Sequence, residues 1–240
     1  MLAFANSNHT SGASAASRGG VRRTRRILAI ALGASLVSLA NASAVGAAAD
    51  RSTQPVVQIW DGTPLGESTL VRTDAGISAS YRTSGVPAGQ AVTLWFVVFN
   101  NPSACSGPCG AVDLFFNPAA GGDFLVGAGH VIGGSGTANF GASLRVGDIS
   151  GSAFAEIGMP ERSVGLTNPR GAQVALLLHS HGPMLSGADL VSQLGSFTGG
   201  CQVFQGDLEM PGSGLADGPE DVPDAIGECS TIQASVHFAS

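Results

Sequence analysis

The chain has 240 residues, of which 12% are charged and 44% hydrophobic, which excludes a disordered polyelectrolyte with its high charge and low hydrophobicity. Thirty-five glycines, a 6% aromatic content and the lack of lysine argue against a long helical bundle, whose composition concentrates Ala, Glu, Lys, Leu and Arg. All 17 acids lie at Asp50 or later, with six of the 11 arginines, so this part of the chain carries a net charge of −11; phosphate binding uses clustered Lys and Arg, and nucleic acid is not expected as a partner.

Residues 1–49 read as a signal peptide. Arg18, Arg22, Arg23, Arg25 and Arg26 form a basic start, Ile27 to Ala40 is an uncharged apolar run, and Ala40-Asn41-Ala42 and Ala42-Ser43-Ala44 offer small-residue cleavage sites. The apolar run falls short of the ~20 residues that span a bilayer, so cleavage between Ser43 and Asp50 and a secreted product without a membrane anchor are expected. Thr24-Arg25-Arg26-Ile27-Leu28 is similar to a twin-arginine export motif; the Sec route is the alternative.

From Asp50 onward the dominant period is two. Val56 to Trp60, Ser68 to Thr73 and Ile77 to Thr83 read as the first strands, the last with Ile77, Ala79 and Tyr81 on one face. Ala91 to Phe99 is apolar on both faces and is expected to be covered on both sides. Phe124 to Ile132 follows, then Thr137 to Val146, with Ala138, Phe140, Ala142 and Leu144 opposite Asn139, Gly141, Ser143 and Arg145. Gln173 to His181 and Thr231 to Phe238 complete about eight strands; in the last, Ile232, Ala234 and Val236 are expected inward and Thr231, Gln233, Ser235 and His237 outward. Gly-, Pro-, Asn- and Asp-rich turns separate them. One short helix is expected at Gly187 to Leu194, with Leu190, Val191 and Leu194 as its apolar stripe. Pro211 to Pro223 reads as an exposed loop in the acid-rich stretch between Cys201 and Cys229. Residues 50–240 thus form one all-β domain, an antiparallel sandwich or barrel.

The four cysteines read as disulfides in an oxidising compartment, paired by proximity as Cys105–Cys109 and Cys201–Cys229; closing these loops is worth about 2 and about 3.5 kcal/mol in the chain-entropy picture. Zinc is the alternative, but the spacing is not CxxC and no histidine stands close in sequence.

Four histidines follow the leader. His179 and His181, two apart on a strand, share one face and could ligate one copper or zinc ion, with His237 joining if the last strand lies beside them. His130 shares a face with Phe124, Val126 and Ile132 and is expected in the core. No G-x-S-x-G elbow and no phosphate loop is present.

His179-Ser180-His181-Gly182-Pro183 resembles the H-x-H-G-P strand end of the chordin-type (CHRD) domain, and the run Tyr81 to Phe99, with its turn Val86-Pro87-Ala88-Gly89, fits that resemblance. Trp60-Asp61-Gly62-Thr63-Pro64-Leu65-Gly66, Trp95 to Pro102 and Gly129 to Gly134 are similar to segments of uncharacterised secreted bacterial proteins. The resemblance implies an all-β extracellular domain, superoxide-dismutase-like or immunoglobulin-like in fold. Copper–zinc superoxide dismutase also carries H-x-H, followed by further histidines and an aspartate; here Met184 to Gly200 offers only Asp189. The expected function is therefore a non-enzymatic extracellular module that binds a protein or surface ligand, without a resident cofactor; the alternative is a copper or zinc site on His179 and His181 with His237 or His130.

Overall fold

The computed structural model describes residues 49–201 and 229–239; the leader up to residue 48 and the acidic loop at 211–223 lie outside the described residues. Among the described residues eight strands form, one at each expected segment: β1 Asp50–Gln58, β2 Pro64–Thr73, β3 Gly76–Thr83, β4 Gln90–Phe99, β5 Gly122–Val131, β6 Ala138–Arg145, β7 Gln173–Pro183 and β8 Ser230–His237; β1 and β2 begin six and four residues earlier than expected, and Ile59 and Trp60 fall in the turn after β1. They make one antiparallel sheet in the order β5-β4-β7-β8-β1-β2-β3-β6. The sheet curls until its edge strands β5 and β6 pack side by side without sharing a ladder, a barrel closed but for one seam. The excursion between β6 and β7 touches both seam strands. Its Gly151 carbonyl accepts from the Val126 N–H (3.0 Å), Ser152 bridges Leu125, and Leu166 accepts from the Gly147 N–H (2.9 Å) just beyond β6.

β4 is buried from Ala91 to Phe99 because it separates two cores. Val92, Leu94, Phe96 and Val98 join Leu70, Tyr81, Phe140, Leu176 and Leu178 inside the barrel. Trp95, Val97 and Phe99 face outward, under a layer of Leu114, Phe124, Phe154 and Phe197. That layer is supplied partly by two helices the periodicity does not reveal, α1 Ala111–Phe116 and α2 Ala153–Glu156; six and four residues are too short to display a helical stripe. Arg162 donates to the carbonyls of Leu114 and Phe115 at the end of α1. The amide of Gln173 exchanges two hydrogen bonds with the backbone of Cys109, tying the Cys105–Cys109 disulfide to β7. The helix expected at 187–194 is present as α3 Gly187–Gln193, but its buried residue is Gln193 and Val191 is exposed.

From Gln233 onward the last strand inverts the expected orientation: Gln233, Ser235 and His237 are buried in the barrel, while Ala234 and Val236 are only half-buried. Before the register shift opposite Leu178/His179 the expected sides hold, with Thr231 outward beside His179 and Ile232 packed against the interior core. Alternation distinguishes two faces but does not say which one turns inward when the polar set can satisfy itself. Here it can: Ser68 Oγ donates to Ser235 Oγ (2.7 Å), the two ring nitrogens of His237 meet Ser68 and Ser52 (2.9 and 2.8 Å), and Gln233 bonds Thr83 and the Ser84 carbonyl.

Two buried charged side chains fix the ends. Arg72, 1% exposed, donates to the carbonyls of Pro169, Ala172, His237 and Phe238 at 2.8–3.3 Å; burial lowers its pKa and the nearby Asp50 charge opposes this. Asp123, fully buried at the start of β5, accepts from the N–H groups of Phe124, Val164 and Gly165 and from the Ser152 hydroxyl. Burial raises its pKa against those four hydrogen bonds. Asp123→Ala leaves several buried donors without an acceptor and is expected to cost about 3 kcal/mol, read as a shift in the urea midpoint at constant slope; a midpoint unchanged from wild type would contradict this role.

Candidate functional site

β7 carries His179 and His181 on its outward face, where they meet the chain returning from α3. The amide of Gln193 donates to the carbonyls of His181 and Pro183 and accepts from the Leu185 N–H, which folds the helix back on the strand end. The chain then passes so close to α3 that a Cβ at Gly199 would lie 2.2 Å from the Ser192 carbonyl oxygen, and Gly200 takes φ +72°. Neither position accepts a side chain without strain. This passage brings Phe197, Gly199 and Cys201 onto the two imidazoles.

His181 is fully buried and its ring is fully committed. Nδ1 lies 2.8 Å from the Gly199 carbonyl, which can only accept, so Nδ1 carries the proton. Nε2 then accepts from the Thr93 hydroxyl (2.8 Å), whose oxygen takes the Trp95 indole N–H (2.6 Å). Burial pushes the His181 pKa down to about 4, with the Gly199 bond opposing. His179 is edge-on to His181 at 4.9 Å between centroids and stacked on Phe197 at 4.5 Å; its Nδ1 lies 3.4 Å from Thr231 Oγ1. Burial first, then the neighbouring His181, lowers its pKa to about 3, and a hydrogen bond to the Phe197 backbone works the other way.

The other two histidines are elsewhere. β8 does pair with β7, but the antiparallel register sets His237 opposite Val174 and Thr231 opposite His179. His237 thus sits inside the barrel about 16 Å along β7 from His179, with its pKa lowered to about 4 by burial and then by Arg72. His130 is exposed on β5, 5.8 Å between centroids from Phe140, and is not the core histidine expected. Neither converges with the H-x-H pair.

The cysteines do converge with it. Cys201–Cys229 form a disulfide, and both sulfurs lie 3.7 Å from His181 Nδ1. One ligand atom from each of His179, His181, Cys201 and Cys229 falls within 4.8 Å of the others. This cluster could hold a metal, but not with the disulfide closed: its sulfurs are not thiolates, and both His181 nitrogens are engaged. Copper or zinc on the four histidines alone does not fit. Cys105, Cys109 and Asp113 form a second such group, likewise closed by a disulfide. The sequence separations of about 20 and 50 residues from H-x-H hide the first cluster; only the return of the chain after α3 creates it.

Beside His179 the outward face of β4 and β7 opens into a pocket of about 250 Å³, lined by Trp95, Val97, Phe124, Leu177, Phe197 and α1 residues. Its rings are set edge to face: Phe197 stands at 88° to both Trp95 and Phe124, 5.2 and 4.9 Å away. The signal for it is faint in the sequence: Val97 of the two-faced strand pairs with Ala175, whose small side chain leaves room over the sheet.

The two disulfides suit an oxidising compartment, and among the described residues no helix is long and apolar enough to cross a membrane. In comparisons with known proteins, no family model matches the chain and neither a curated protein nor a solved structure is significantly similar to it.

Proposed function

We propose that the protein is an exported, non-catalytic binding domain whose site is the pocket on the outward face of β4 and β7, and that its ligand is a small apolar molecule such as a one- or two-ring aromatic or a short acyl chain. The basic leader, the disulfides and the chordin-type resemblance support an extracellular binding module. The observation that carries the reading is the wall of the pocket: about 250 Å³ of apolar and aromatic surface with His179 and Thr231, already 3.4 Å apart, as its ionisable and hydroxyl groups. Ligand sites are mostly apolar concavities with few polar groups, and this volume is at their small end.

Trp95 lines the pocket, whereas the second tryptophan, Trp60, is 64% exposed. Trp60→Phe therefore leaves Trp95 as the sole reporter. Titration of this variant with naphthalene and with octanoate is expected to change the Trp95 emission saturably for at least one of them. Ala175→Phe, which fills the pocket, is expected to weaken that binding by about tenfold or more. An emission that responds to neither probe, or responds equally in the filled variant, would remove the pocket as the binding site.

A further inference from the structure

We propose that His179, His181, Cys201 and Cys229 form a redox-gated zinc site: opening the disulfide creates a Cys2His2 shell for one Zn²⁺, and closing it expels the ion. This rests on the cluster alone and does not depend on an apolar ligand.

A tetrahedral zinc ion with bonds of about 2.0–2.3 Å holds its ligand atoms about 3.3–3.8 Å apart. His181 Nδ1 is already 3.7 Å from Cys201 Sγ and from Cys229 Sγ, and all four ligand atoms lie within 4.8 Å of each other. The contact that has to open fully is the S–S bond itself. The imidazole positions are fixed by β7, a central strand bonded to β4 and β8, so the histidine half of the shell is built before any ion arrives. The supporting shell is present as well. Nδ1 of His181 faces the sulfurs, and behind it Nε2 meets Thr93 Oγ1 at 2.8 Å. On metal binding Nδ1 leaves the Gly199 carbonyl, the ring proton moves to Nε2, and Nε2–H donates to Thr93, the outer hydrogen bond that orients ligating histidines. Thr93 Oγ1 has two lone pairs, so it accepts from His181 while keeping the Trp95 indole N–H.

The chemistry balances with an external thiol as reductant. Two equivalents of a small thiol give up two electrons and two protons and leave as their own disulfide; the Cys201–Cys229 bond breaks to two thiols. Zn²⁺ then displaces two protons from those thiols and keeps its oxidation state. Reoxidation by a small disulfide, which takes up the two electrons and two protons and leaves as two thiols, re-forms the Cys201–Cys229 bond, removes two of four ligands and releases the ion.

The test uses the exported chain with Cys105→Ser and Cys109→Ser, so that only two thiols are generated, treated with a phosphine reductant without oxygen and titrated with Co²⁺ as a coloured stand-in for zinc. The expected result is one Co²⁺ per chain with thiolate charge-transfer and tetrahedral d–d bands, erased by Zn²⁺, and no such bands without reductant. His179→Gln and His181→Gln are each expected to weaken the metal at least as much as the about 10- to 100-fold that loss of an outer partner costs, with both thiols still titrating. Three outcomes overturn the proposal: no thiolate band in the reduced protein, a band indifferent to both histidine substitutions, or loss of the β-sheet circular dichroism on reduction before metal is added.

Discussion

Acidification from pH 8 to pH 4 is expected to remove on the order of 9 kcal/mol of folding stability through three histidines alone. His179, His181 and His237 have pKa values lowered to about 3, about 4 and about 4 from 6.5, and all three are at most 2% exposed. Between pH 6.5 and those values the unfolded chain binds protons that the folded one refuses. Their stabilisation is therefore complete above about pH 6.5 and is lost as the pH falls toward 4, at about 3 kcal/mol per residue. A domain of ordinary stability has about 5–15 kcal/mol in total, so this loss takes most or all of it, and a domain in the lower half of that range unfolds by about pH 4. The measurement is urea denaturation at half-unit pH steps, where the slope near pH 5 approaches about 4 kcal/mol per pH unit. His179→Phe, which can retain the stacking on Phe197, is expected to reduce that slope by about a third. Stability that is flat between pH 7 and pH 5 would show that the folded rings take up protons as readily as those of the unfolded chain.

Replacing Arg72 is expected to cause the largest loss of any single substitution outside the aromatic cores. Its guanidinium joins the loop before β7, through Pro169 and Ala172, to the end of β8, through His237 and Phe238. Arg72→Ala leaves four carbonyls without their donor and opens a cavity, a loss of about 5 kcal/mol. Arg72→Met keeps the aliphatic length and removes only the donors, a loss of about 3 kcal/mol. Calorimetry on both variants separates the two contributions. A methionine variant within about 1 kcal/mol of wild type would mean that water replaces the guanidinium at no great cost.

The strands were legible because a half-buried strand writes its two faces into the sequence at a period of two; β3 and β6 follow that pattern residue for residue. β4 was legible for the opposite reason, since Leu94 to Phe99 are apolar without alternation and two cores claim them. The cysteine pairs followed from proximity. Beyond Ile232, hydrophobicity points to the wrong face of β8, because the barrel accepts Ser235, Gln233 and His237 by bonding them to Ser68, Thr83 and Ser52. The candidate site was half legible. H-x-H states that two rings share a face, but their partners depend on register and on a loop. Register carries His237 away to Val174, and the tight passage at Gly199 and Gly200 brings the sulfurs in.

The seam between β5 and β6 has a consequence for how molecules of this protein avoid one another. Two unpaired strand edges are templates for runaway association between chains. The segment from Gly147 to Leu166 acts as a latch across them, gripping β5 through Gly151 and Ser152 and the end of β6 through Leu166. Shortening that segment would strip the guard from both edges, and the product would be expected to polymerise edge to edge while each barrel kept its interior intact.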